Sequence, residues 1–152
     1  MAQPTPSQIK NRLVTMCDAI SGINTAVDTW PTDSQPFTAA ELPAFVVNIG
    51  PATNGMQAGQ LFSMSREFML TLLAARFPAD WKLTDNTTWE VIEPYMLSVP
   101  TYFAQHPRLE HNDSGLAVAI TLPTERPIVA ITFDGGLYAA LPFTLQVRTL
   151  HT

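Results

Sequence analysis

Residues 61–77 read LFSMSREFMLTLLAARF, and whether they form a strand or a helix decides the fold. Phe62, Met64 and Arg66 alternate with Ser63 and Ser65, and Phe68, Leu70 and Leu72 continue the step of two. A period of two puts successive side chains on opposite faces of a strand. The centre, Phe68 to Ala75, is apolar on both faces. Met, Leu and Ala also favour helix, but the alternation points to one long strand. Upstream, Leu42-Pro43 opens the run Ala44–Ile49, whose β-branched content and closing Gly50-Pro51 mark a second strand, with Pro43 at its first position or an edge. Residues 50–60, GPATNGMQAGQ, read as a mobile connection, the long loop of a hairpin between the two.

Further toward the N-terminus, Ile9, Leu13, Met16, Cys17 and Ile20 fall at helical spacing, with Lys10, Arg12 and Asp18 on the other side. This predicts an amphipathic helix from about Ser7, its N-cap, to Ser21, ended by Gly22. Residues 24–42, broken by Trp30-Pro31 and Pro36, read as irregular, and Trp30 and Phe37 imply that this segment packs on something. Downstream, Thr84 or Asp85 can cap a helix carrying Trp89, Ile92, Met96, Val99 and Phe103. Pro94 and Pro100 lie inside it, so a bent helix or two short pieces are expected, ending before His106-Pro107. Three strands close the chain, Leu116–Leu122, Ile128–Phe133 and Leu137–Leu150, read as a meander whose second turn is Asp134-Gly135-Gly136.

The order implies one α+β domain spanning residues 1–152. Its mostly antiparallel sheet has about five strands, with the N-terminal helix and the bent central helix packed on one face. Phe45, Val47, Phe68, Leu70, Val118, Ile120, Ile131 and Val147 are expected to share the core.

Only 14% of the 152 residues are charged while 46% are hydrophobic, against about 25% charged in an average soluble domain. Either the core is large beneath a neutral polar surface, or some surface is covered by partners; interface cores are depleted in charge. The net charge of −5 and the scattering of eight Lys and Arg argue against a nucleic-acid-binding face or a polybasic membrane patch. No apolar run approaches a membrane span. The opening MAQPTPSQIKNR lacks the apolar core of a signal peptide, so a protein made and used in a cytoplasm is expected.

Signals for chemistry are weak. His106 and His111, near Glu110 and Asp113, can hold a metal or exchange protons, yet their place after a helix also suits a solvated loop. Glu90 and Glu93 share a helix face, the usual position of solvated carboxylates. Cys17, the single cysteine, lies in the apolar helical stripe and reads as a buried, inert thiol. The run GPATNG at 50–55 is not followed by the Lys-Ser or Lys-Thr of a phosphate loop. No catalytic residue, metal site or cofactor is assigned. The expectation is a protein that assembles with other copies rather than an enzyme.

Four segments in order, LPAFVVNIG (42–50), REFMLTLLAAR (66–76), TYFAQHPRLE (101–110) and FDGGLYAALPFTLQVRTL (133–150), resemble the tail terminator proteins of long-tailed, non-contractile bacteriophages. Pro43-Ala44, Arg66 to Leu72 and Gly136 to Phe143 carry the likeness, and Ala139-Ala140 departs from it where glycine is common. The resemblance implies a homo-hexameric ring on the head-proximal end of the tail tube. It would stop tube polymerisation and join the tail to the head connector or head-closure protein. The protein would thus be part of the virion, assembled in the host cytoplasm, and DNA would pass through the ring without sequence-specific binding. The negative charge of each copy would repel phosphates in such a channel.

Interface candidates under this resemblance are Trp30 and Phe37 in the irregular segment, and Pro51, Asn54, Met56 and Gln57 in the glycine-rich connection. Leu61 and Phe62 open the long strand, His106 and Arg108 follow the helix, and Tyr138 lies in the last strand. Another head–tail neck protein is the nearest alternative. A small-molecule-binding domain with a pocket lined by Trp89, Tyr95 and Tyr102 is a second, and a subunit of an unrelated cytoplasmic complex is a third.

Overall fold

The computed structural model describes residues 4–30, 37–57, 61–77, 82, 86–133 and 136–149. Helix α1 (Pro6–Ala19) precedes strands β1 (Thr25–Val27), β2 (Ala44–Gln57) and β3 (Leu61–Phe77). Helix α2 (Asn86–Ala104) leads into β4 (Val118–Ile120), β5 (Thr124–Glu125), β6 (Val129–Phe133) and β7 (Gly136–Thr149). The fold is α+β, with both helices on one face of a seven-stranded mixed sheet ordered β1-β2-β3-β7-β4; β5 and β6 also pair with β7. Among the described residues, only the β1–β2 pair is parallel.

The long strand forms where its alternation places it. β3 pairs antiparallel with β2 from Ala44↔Leu73 to Gln57↔Leu61, and with β7 from Met64↔Thr149 to Phe77↔Leu137. Phe68, Leu70 and Leu72 point into the main core, joined by Phe45 and Val47 from β2 and by Phe143, Leu145 and Val147 from β7. From α1 come Ile9, Leu13, Met16 and Cys17, and from α2 Ile92, Val99 and Phe103. A second, smaller cluster on the opposite face holds Phe37, Val46, Leu73, Tyr138 and Ala140. The centre of β3 is apolar on both faces because both are covered there.

Several expectations need correction. The first helix is capped by Thr5, whose hydroxyl accepts from the Gln8 amide while Gln8 Oε1 accepts from the Thr5 amide. Pro6 then takes the first helical position, where its missing N–H costs nothing, and Ser7 lies inside the helix. The 24–42 segment is not wholly irregular: β1 and a 3-10 turn at Ala39–Glu41 lie within it. Most of the expected 50–60 loop is strand, since β2 runs on to Gln57; cross-strand pairing overrides the turn propensity of its glycines. Helix α2 runs through Pro94 and Pro100. The bonds these prolines cannot make would reach Glu90 and Met96, whose helix faces are exposed or half-buried, while Ile92, Val99 and Phe103 anchor the other face.

The closing strands are not a meander. β4, β5 and β6 pair one after another along the same edge of β7, at 147–149, 143–144 and 136–140. Of the expected core, Ile131 packs instead against the second cluster, because its partner Tyr138 faces that side, and Ile120 is only partly buried. Thr84, Asp85 and the Asp134-Gly135 turn lie outside the described residues.

The β2–β3 register shifts between Ile49 and Ala52. At this bulge a Cβ on Gly50 would stand 2.8 Å from the Glu67 carbonyl oxygen, a backbone atom that cannot swing away. Arg66 Nη1 donates to the Gly50 carbonyl at 3.0 Å and closes the bulge from the core side. Gly50→Ala should therefore lower unfolding stability by about 1–3 kcal/mol, read from the denaturant midpoint. Phe143→Ala, by contrast, should cost about 3–5 kcal/mol through its cavity.

Candidate assembly interface

The feature that stands out is the free side of β2. β1 pairs only with Ala44, Phe45 and Val46. Beyond Val46, no strand among the described residues pairs with β2 on that side. On its other side, the described part of β7 accompanies β3 from Phe77 to Met64. Among the described residues, the pairs Gly55↔Ser63, Met56↔Phe62 and Gln57↔Leu61 have no third strand beside them.

Two-stranded ribbons are marginal in water, and a bare strand edge invites pairing with another chain unless Lys, Pro or short length protects it. Here, from Leu42 to Ser65, there is no Asp, Glu, Lys, Arg or His. Pro51 is the one protecting residue. Ile49 on β2 and Met69 beside it on β3 are 41% and 42% exposed, on opposite faces of the sheet. The charge-free run could be read from the sequence, but its meaning depends on knowing that β2 is an edge.

Among the named interface candidates, Pro51, Asn54, Met56, Gln57, Leu61 and Phe62 all lie on this hairpin. Trp30 is half-buried against the second cluster. Phe37 and Tyr138 are buried within the chain, the Tyr138 hydroxyl donating to the Phe37 carbonyl at 3.5 Å, so neither offers surface to a partner. Strand alternation could not tell that Tyr138 faces a covered side. His106 is half-buried and Arg108 exposed, both far from the hairpin in sequence.

Two clefts among the described residues hold candidate chemical groups. One, of about 470 Å³, is lined by Tyr102, His106, Glu110, His111, Asn112 and Asp113. His106 Nδ1 lies 2.7 Å from the Tyr102 carbonyl. A carbonyl only accepts, so Nδ1 carries the proton. The His106 and Tyr102 rings also stack at 4.5 Å. His111 and Ser114 exchange backbone hydrogen bonds around Asn112 and Asp113, both at positive φ, which makes a tight two-residue turn. Among the described residues no group of three His, Cys, Asp or Glu is placed to hold a metal ion.

Sequence reading missed what shapes this loop. Arg12, on α1, donates from Nη1 to the carbonyls of Leu109 at 2.7 Å and Ser114 at 2.6 Å. Buried Leu109 sits at φ 52, a strained angle for a branched side chain.

The second cleft, about 420 Å³, lies where α2 overhangs the sheet edge, between Trp89, Met96, Glu125, Arg126, Pro127 and Ile128. The expected pocket residues Trp89, Tyr95 and Tyr102 do not come together in either cleft. The Tyr95 hydroxyl donates to the Gly22 carbonyl at 3.3 Å, and Tyr102 lines the other cleft. Glu90 and Glu93 are exposed. Cys17 is fully buried, and burial, with the nearby Asp18 charge, pushes its thiol well above the ordinary range. No helix among the described residues is long and apolar enough to cross a membrane.

No protein-family model matches the chain, and neither does any curated protein sequence.

Arg12→Ala should loosen the 106–116 loop, costing about 1.5–3 kcal/mol as two charge-assisted hydrogen bonds are lost, with faster amide exchange at Ser114 and Leu116. Cys17 supplies a pH signature. Its folded thiol keeps its proton while the unfolded thiol loses it above about pH 8.5, so stability is full below that pH and falls as pH rises. Between pH 8.5 and 10 the slope should approach 1.4 kcal/mol per unit, roughly one proton. Cys17→Ala should flatten it in urea titrations. Above pH 10, Tyr95 and Tyr102, both raised by burial, prolong the decline.

Proposed function

We infer that the chain is a structural assembly protein that builds a ring of its own copies, and that this ring is a phage tail terminator. The observation that supports the reading best is the uncharged outer edge of β2, with which no strand among the described residues pairs beyond Val46. Such an edge is a hazard for a chain that stays single and an asset for one that assembles. The resemblance of residues 42–50, 66–76, 101–110 and 133–150 to tail terminators gives the assembly its place. In this reading one face of the ring seats on the last tube ring and refuses further tube subunits. The other meets the head connector, and DNA passes through the channel as a cargo whose sequence is not read.

The test is the mass of the purified protein by light scattering, followed by electron microscopy after mixing with tubes of the cognate tail protein. A hexamer, or a monomer that becomes a six-fold ring on tube ends and limits their length, is the expected result. A stable monomer that never decorates tubes would overturn the reading.

A further inference from the structure

The free edge of β2 has a counterpart on the same chain. β6 pairs with β7 on one side only, and Pro127 to Phe133 carries no charge, lying between Arg126 and Asp134. Val129, on this strand, is 41% exposed. The remainder of that side of the sheet is guarded. β5 carries Glu125, with Arg126 next to it and prolines at 123 and 127, and the Ile120 amide of β4 already donates to the Pro107 carbonyl at 3.2 Å. Among the described residues, one chain therefore presents two unpaired, neutral strand edges on opposite sides of one sheet.

We propose that the outer edge of β2 in one copy pairs with β6 of a second copy, extending the sheet head-to-tail from protomer to protomer. The proposal rests on the self-assembling half of the reading above, not on its phage half. Strand directions support it. β2, β3, β7 and β6 are successively antiparallel, so β6 runs opposite to β2. A rotation between copies that preserves strand direction thus sets β6 antiparallel to the neighbour's β2, the stronger form of ladder. Pairing β2 with β2 would stop at a dimer and leave β6 bare, whereas a two-edge contact is heterologous and can close into a ring. The edges also differ in level. Val129 lies opposite Ala140, which pairs with Leu73 and through it with Ala44, while the free part of β2 runs on from Val47 to Gln57. Successive copies must therefore slide along the strand direction, and closing a sheet requires such a stagger.

Disulfide trapping tests this, because the one native thiol is buried. Thr53→Cys or Asn54→Cys is combined in turn with Val129→Cys or Ala130→Cys, so that both alternations of each strand are sampled. Within one chain β2 and β6 are separated by β3 and β7, about 14 Å at a typical strand spacing, beyond the reach of a disulfide. Any new bridge is therefore between copies. At least one double variant should give a ladder of dimers, trimers and larger species on a non-reducing gel, while each single variant stays monomeric. Adding Thr53→Lys to an Asn54→Cys double variant should abolish the ladder, with circular dichroism and melting temperature unchanged. Dimers from Asn54→Cys alone would show β2 meeting β2 and overturn the proposal, as would monomers in every variant. A ladder without decoration of tail tubes would sink the phage reading and leave this one standing; decoration without a ladder would do the reverse.

Discussion

Everything in this fold depends on the ladder between β3 and β7. Thirteen paired positions join Met64–Phe77 to Leu137–Thr149, interrupted by one shift between Leu73 and Ala75. β7 then uses its other edge for β4, β5 and β6 in turn, and β3 uses its other edge for β2. No strand except β1 reaches the sheet without one of these two. Both long strands are buried on two faces over their shared centre, which places Leu70 and Phe143 beneath the helices and Leu73 and Ala140 beneath the opposite cluster. Apolar burial on both sides of a long hydrogen-bonded ladder makes the pair hard to open, and the shorter strands are secured by it.

Away from that centre the sheet is less protected, and its exposed parts follow from geometry. The helices cover one face, and their stripes reach Phe68 but leave Ile49 41% exposed. On the other face the apolar cluster gives way to a polar network, in which Ser65 donates to Gln146 and Gln146 to Glu67. Where the hairpin bends away at the Gly50 bulge, Arg66 closes it by donating to the Gly50 carbonyl.

Much of the architecture could be read from local pattern. The α1 stripe, the alternation of 61–77 and the Phe143, Leu145, Val147 series all report a single period imposed by a single buried face. The failures have a different origin. Thr25–Val27 is a strand only because β2 offers an edge, and three residues carry no period. Gly50, Gly55 and Pro51 signal a loop by local preference, while pairing with residues 61–66 decides otherwise. Pro94 and Pro100 threaten a helix that is held from its far side by tertiary contacts. The three closing strands look sequential because turn signals say where a chain reverses, not which neighbour it meets. Six of the interface candidates fall on the β2–β3 hairpin, but a charge-free run gains meaning only once its strand is known to lie at an edge. Tyr138 and Phe37 were misplaced because aromatic character alone does not distinguish a second core from a surface.

The separation of β3 from β7 in the chain has a consequence during synthesis. Gly136 emerges roughly 75 residues after Leu61, which at ribosomal rates of about 5–20 residues per second is a delay of some 4–15 s. For most of that interval, once Phe77 has emerged, the β2–β3 hairpin is available with only α1 at hand to cover it, its outer edge neutral and its strongest partner not yet made. Non-local pairing of this kind is slow even in a complete chain. The same neutral edge that suits orderly assembly is then exposed to premature contact with other nascent chains. Crowded polysomes, where identical hairpins emerge side by side, are the place where this protein is most vulnerable to misassembly.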